Sequence, residues 1–279
     1  MPTRTLTATT TGPVYLSTVL IGAPGHIAAH VDPTCTRATV TVTADTDTGP
    51  AANAVHSATL SPGYKHPHTL IVEVFGKSGV DHHPVNETNT VAISTGRPTG
   101  QPIRIHAVLP PGSRVQADTQ NANVRVDGHA AAVRVSTDKG TVTINHADSV
   151  HARTSSGAVT IGHATQIDTH TSSGPVNIGT TEAATIKTHA GHVTINNSQG
   201  NTQVNTYDGV VTLHLTRLGV TSVMTSAANI NITATPDVIA AVPADFVAGR
   251  RHVRLSTGEG RISVPDQWRR LVLPHFRAA

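Results

Sequence analysis

Eighteen histidines in 279 residues are the most conspicuous chemistry the chain offers. Imidazole titrates near neutral pH and is a common metal ligand. Protonating all eighteen would carry the formal charge from +3 to about +21, at a pH below their ordinary pKa of about 6.5. His146 and His163 each fall six residues after a glycine of the repeat set out below, and His129 lies seventeen before His146. Stacked repeats would bring such rings together, either to hold a metal or to repel one another in acid. His66-Pro67-His68 and His82-His83 read as loop pairs, with no carboxylate or cysteine beside them to complete a metal site. The expectation is therefore solvent-exposed histidines and no bound metal, with His146 and His163 as the candidates if a metal is held.

Nucleophilic and acid–base chemistry is poorly served. Ser155-Ser156-Gly157 and Ser172-Ser173-Gly174 look like nucleophile turns, yet a catalytic serine is needed once and this pair recurs. Asp138, Asp168 and Asp208 occupy different repeat positions, so they make no paired-carboxylate ladder. There is no Gly-rich phosphate loop, His-Glu-x-x-His or Gly-x-Ser-x-Gly motif. The single cysteine, Cys35, excludes an intramolecular disulfide and any cysteine-rich metal knuckle. The chain reads as a non-enzyme without a cofactor.

Any such residues must be positioned by strands. Threonine supplies 43 residues, about 15% of the chain, while charged residues are 13% and aromatics 3%. That composition disfavours a large helical core and suits a Thr- and Val-rich β-protein. Hydrophobic residues at 37% and a net charge of +3 also disfavour a disordered chain. No stretch reaches the roughly 18 apolar residues of a membrane span. The run Val14–Ala23 reads as a strand, not a signal peptide, so the expected location is cytoplasmic, or a particle assembled there. Basic residues cluster only at Arg250-Arg251 with Arg254 and at Arg269-Arg270, without interleaved aromatics. That pattern disfavours nucleic acid as a partner.

The informative feature is a repeat, Thr-x-x-Gly-x-Val-x-(Ile/Leu). Its glycines are Gly140, Gly157, Gly174, Gly191 and Gly209, in steps of 17, 17, 17 and 18. Degenerate copies start at Thr119, Thr225 and Thr257, and an insertion with Pro236, Pro243 and Phe246 separates the last two. Before each Thr and after each Gly, apolar residues alternate with period two, so one face is buried. The Gly is expected at a turn position that tolerates positive φ. A strand–turn–strand unit this small cannot bury its own face, but stacked copies can. The expected fold is all-β, a single-stranded β-solenoid or β-helix of about 17-residue coils. Equivalent residues would then lie about 4.8 Å apart, with a threonine ladder at the edge of the core.

Residues 1–102 lack the repeat and read as a β-rich N-terminal capping region. It has strands at His26–Val31, Arg37–Thr43 and Thr69–Phe75, and loops at Thr46–Pro67 and Gly76–Asn89. Residues 103–265 hold the coils, opening with the strand of Ile103, Ile105, Ala107 and Leu109. Residues 266–279 form a tail with Trp268 and Phe276, placed to cover the other end or to dock on a partner.

Pro110-Pro111-Gly112 and the serial Thr-x-x-Gly-x-Val-x-Ile units resemble the bacterial adhesin family of β-solenoid domains, a family of otherwise unknown function. The resemblance spans roughly residues 26–265 and is closest from Ile103 to Leu213. It implies a β-solenoid with a β-rich leading part, and it brings no catalytic residues to carry over.

The function expected from these observations is a scaffold or binding module. It would present rows of Thr, Ser, Asn and His to a protein or polymeric partner. The outward positions between the repeat's Val and Ile, namely Thr143, Thr160, Asn177, Thr194 and Thr212, form the flattest polar row. Alternatives are a glycan-binding surface adhesin and a self-associating filament, phage or envelope component. A carbohydrate-active β-helix enzyme is the remotest.

Overall fold

The structure, a computed structural model, describes residues 1–20, 24–57, 59–62, 69–73, 90–95, 100–247 and 253–272. Strands account for 60% of the chain and build a parallel β-solenoid of about seven turns, with coils of roughly 18 residues. The chain divides into two compact units, Met1–Gly157 and Ala158–Ala279.

The later unit displays the repeat directly. Strand Val159–Thr171 pairs in parallel with Val176–Thr188, which pairs with Val193–Thr206. Val159, Val176, Val193 and Val211 fall in one register column, and Ile161, Ile178, Ile195 and Leu213 in the next. All eight are buried. Each long strand bends once, at an inward small residue: Ala164, Thr181 or Ser198. Beyond the bend, Thr169, Ile186, Val204 and Val223 make another inward column. A coil is thus two short strands joined by a corner and closed by the Thr-x-x-Gly turn. The inward residues of the two strands meet across a dry interior, which is the main source of stability.

The turn works through its threonine. The Thr171 hydroxyl accepts the Gly174 N–H at 2.9 Å, and Thr188 does the same for Gly191 at 2.9 Å. In the earlier unit Thr137 accepts from Gly140 at 3.1 Å and Thr154 from Gly157 at 2.8 Å. The hydroxyl proton is left for a carbonyl one rung back, as in Thr257 to Ala228 at 3.2 Å. Positive φ is not the general reason for the glycine. Of the five, Gly209 alone adopts it, at +110°. The reason is close approach of neighbouring rungs. A Cβ on Gly140 or Gly157 would stand 1.9 Å from the carbonyl oxygen one rung back, and on Gly191 2.2 Å.

Coils longer than 17 residues absorb the extra residue at a corner. In the later unit the register shifts between Thr181 and Ala183, so Gln199-Gly200 take up the slack and Ala183 faces Asn201. In the earlier unit the shift lies between Val126 and His129, where Gly128 has φ +78°.

Rungs of the earlier unit do not follow sequence order. Strand Tyr15–Leu20 lies between Thr90–Thr95 and Arg114–Thr119, all parallel. Strand Gly25–Val31 lies between Ile103–Leu109 and the first half of Asn123–Thr137. The leading region therefore supplies a rung within the stack as well as an end. At that end Thr39–Ala44 pairs antiparallel with Ile103–Leu109, and Thr3–Thr7 pairs antiparallel with Thr39–Ala44. This short antiparallel pair finishes the parallel run and limits the open edge. The Thr46–Pro67 stretch, expected to be loop, contains helix Pro50–Ser57 and strand Thr59–Pro62. Pro50 suits a first helical position, and Ala51, Ala52, Ala54 and Val55 are buried.

In the later unit the Pro-containing insertion is a helix, Pro236–Val247. Trp268 is fully buried, and its indole N–H donates to the Ile239 carbonyl at 3.0 Å. The start of the tail is thereby fastened to that helix. Phe276, Arg250, Arg251 and the Gly76–Asn89 loop lie outside the described residues.

Two stability predictions follow from the interior. Gly191→Ala forces a methyl into the Gly174 carbonyl and is expected to cost about 2–3 kcal/mol. Thr169 is fully buried, and its hydroxyl has no hydrogen-bond partner among the described residues. Thr169→Val keeps the shape and removes that unmet polar group, so it should stabilise by about 1 kcal/mol. Urea unfolding checks both, through the midpoint at an unchanged slope.

Candidate functional site

The expected polar row is brought together in the later unit. Thr160, Asn177, Thr194 and Thr212 occupy one register column, each flanked by buried Val and Ile or Leu. Because alternate residues face opposite ways, burial of those neighbours fixes the row outward. Asn231 and Ser263 extend it. Neither was singled out from the sequence, although the copy starting at Thr225 places Asn231 at the equivalent position. Thr143 belongs to the earlier unit. It pairs with Arg125, followed by Ala28 and His106. Arg125 Nε lies 2.6 Å from the Asp127 carboxylate, and that hydrogen bond raises its already high pKa further. Within the later unit the row thus holds four of the expected residues plus two additions, and within the earlier unit Thr143 shares its column with Arg125, Ala28 and His106.

The opposite sheet of the later unit carries a feature that the sequence reading missed. An open hollow of about 600 Å³ crosses the outward positions of the second half-coils. Ala183 and Thr185 lie in it, beside Gln166, Asp168, Asn201 and Gln203. Asp168 is 3.5 Å from His170 on its own strand. The available signal was the run of outward residues between Ile167, Thr169 and Thr171, compared rung by rung.

The histidines divide. His129 and His146 face each other in register, with ring centroids 4.0 Å apart and planes 11° from parallel. His129 Nε2 is 2.7 Å from the Asp148 carboxylate. Nitrogen lone pairs lie in the ring plane, so two rings stacked face to face do not converge on one ion. No cluster of three or more metal-ligating side chains occurs among the described residues. His163 lies in the later unit, opposite Thr180. His189 stacks on Tyr207 at 5.0 Å on the turn edge, and Tyr207 is 56% exposed. His66, His68, His82 and His83 lie outside the described residues.

The remaining candidates have local tasks. Ser155 and Ser156 donate their N–H groups to the Thr137 and Asp138 carbonyls of the preceding turn. The Asp208 carboxylate accepts the Gly209 N–H at 2.6 Å, and the Cys35 thiol points to the Arg37 carbonyl at 3.0 Å. No helix among the described residues is long and apolar enough to cross a membrane.

Comparison with protein-family profiles, curated proteins and solved structures finds no match. The residues themselves therefore carry the functional reading.

The stacked geometry makes a prediction. Replacing His129 and His146 together by alanine should leave zinc uptake by the full chain unchanged in equilibrium dialysis. A loss of one equivalent would mean that the pair chelates.

Proposed function

We propose that this protein is a non-catalytic β-solenoid scaffold or binding module that presents polar rows to a protein or polymeric partner. The observation that carries the reading is the register of Thr160, Asn177, Thr194 and Thr212. It sets hydroxyl and amide groups at a constant interval of about 4.8 Å. A partner with its own regular spacing can then engage several equivalent positions at once. Once the first contact is made, the rest form at high effective concentration, so weak single contacts sum to useful avidity. A non-catalytic role is favoured because the repeated serines lie in turns, the Asp168 carboxylate sits beside His170 and the Asp208 carboxylate accepts the Gly209 N–H.

The test is a variant with Thr160→Lys, Thr194→Lys and Thr212→Lys. Three ammonium groups on one column repel one another and obstruct a close-fitting partner, while the interior is untouched. Native and variant proteins are immobilised and exposed to native lysate. Retention of the specific partner is expected to fall at least tenfold in the variant. Equal recovery of the same partner by both proteins would show that this row is not the interface.

A further inference from the structure

The hollow on the second sheet of the later unit is not something the repeat alone would make. Its floor, Ala183 and Thr185, belongs to one rung. The same outward positions carry longer side chains on the flanking rungs. Gln166 and Asp168 face the floor residues on one side, and Asn201 and Gln203 on the other. Beneath the floor Ile167 and Ala184 are buried, so the sheet is filled from behind and the hollow is a surface shape. It reaches a fourth rung at Ser222, opposite Gln203. Four rungs at strand spacing span about 14 Å. The volume of about 600 Å³ falls within the range of ligand sites, roughly 300–1,000 Å³.

The walls are chemically balanced. The carboxamides of Gln166 and Gln203 each offer donors and an acceptor, Asn201 offers its NH2 while its Oδ1 accepts the Val220 N–H at 2.9 Å, and Thr185 and Ser222 add hydroxyls. Asp168 already lies beside His170. One carboxylate against the Lys187 ammonium at the rim gives no strong field to select a polyanion or a polycation. An extended peptide gains its affinity from an open strand edge, whereas the backbone groups under this hollow are spent on rung pairing. A linear sugar chain fits better. It brings closely spaced hydroxyls that both donate and accept, no net charge, and C–H faces that rest on small methyl groups.

We infer that the hollow binds about three residues of an uncharged linear oligosaccharide. The Ala183 and Thr185 methyls lie beneath the rings, and the flanking carboxamides take the hydroxyls. The inference rests on the binding-module reading and names a ligand for the sheet opposite the threonine row.

The experiment is a titration of the isotope-labelled full chain with cellohexaose, xylohexaose, mannohexaose and laminarihexaose in turn, following backbone amide resonances. At least one hexaose is expected to shift the amides of residues 183–187 and 201–203 together. Thr185→Arg fills the hollow and should weaken that affinity at least tenfold at an unchanged melting temperature. Asn196→Arg, exposed on the first half of strand Val193–Thr206 and outside both the row and the hollow, should leave it unchanged. If Thr185→Arg lowers the melting temperature, the double variant Asn201→Ala/Gln203→Ala removes the wall and should show the same tenfold loss. No shift with any hexaose at millimolar concentration overturns the inference, as does undiminished affinity in the wall variant. Selective uptake of polygalacturonate or polylysine in the hollow overturns the uncharged-sugar assignment and leaves the binding module standing. The same holds if no hexaose binds but the lysine-row variant loses its partner. Failure of both experiments removes the broader reading as well.

Discussion

Rung-to-rung register is the constraint on which everything else depends. Strand residues inside the stack pair with the rungs above and below, so an outward side chain is located by the buried residue next to it. A slip of one residue would turn the whole inward set to water. The structure shows how that slip is avoided. Extra residues are placed at corners, at Asp127-Gly128 and at Gln199-Gly200, and the columns on either side of them stay aligned. The Thr160 row is therefore as regular as the valine and isoleucine columns that flank it.

The Thr-x-x-Gly turn serves the same constraint from the edge. The threonine hydroxyl meets an N–H that the tight turn would otherwise leave without a partner, a group costly to bury unpaired. The bond itself does not need glycine: Ala122 and Ala228 donate to Thr119 and Thr225 at 3.0 and 2.9 Å. Glycine is needed where two turns approach so closely that a methyl would meet a carbonyl oxygen, as at Gly140 and Gly157. Two demands, one on hydrogen bonding and one on space, thus produce a single four-residue motif.

These facts explain what was legible in the sequence. The coils from Thr119 to Leu213 were readable because the side-chain period, the turn chemistry and the inter-rung spacing all repeat together. The placement of strands Tyr15–Leu20 and Gly25–Val31 was not. Leu16, Leu20, Ile27, Ala29 and Val31 say that one face is buried, but alternation is silent about which strands it lies between. Their neighbours are Thr90–Thr95 and Arg114–Thr119 for the first, and Ile103–Leu109 and the first half of Asn123–Thr137 for the second, a choice settled by long-range packing. The short helix at Pro50 was hidden by a stretch whose flanks read as loop. The threonine row was readable because its members recur at the same place after each repeat glycine, whereas Arg125 and His106, in the column of Thr143, carry no repeat signature that aligns them with it.

The hollow was invisible for a different reason, which bears on where function resides in such a fold. Inward columns are held to buried residues that together fill the interior, even where size varies along a column, as at Ile167, Ala184 and Thr202. Outward columns carry no such demand, so their uniformity or irregularity is informative. A constant column, such as Thr160 to Thr212, suits a partner that is itself periodic. An irregular one, with Ala183 and Thr185 set between longer amides and an acid, suits a ligand of definite size. The second kind of site is a contrast between neighbouring rungs. It emerges only after the corner at Gln199-Gly200 has shifted the alignment so that Asn201, and not Gly200, stands beside Ala183. A search of this solenoid for recognition chemistry is therefore best directed at departures from the repeat, measured in the register that the corners impose.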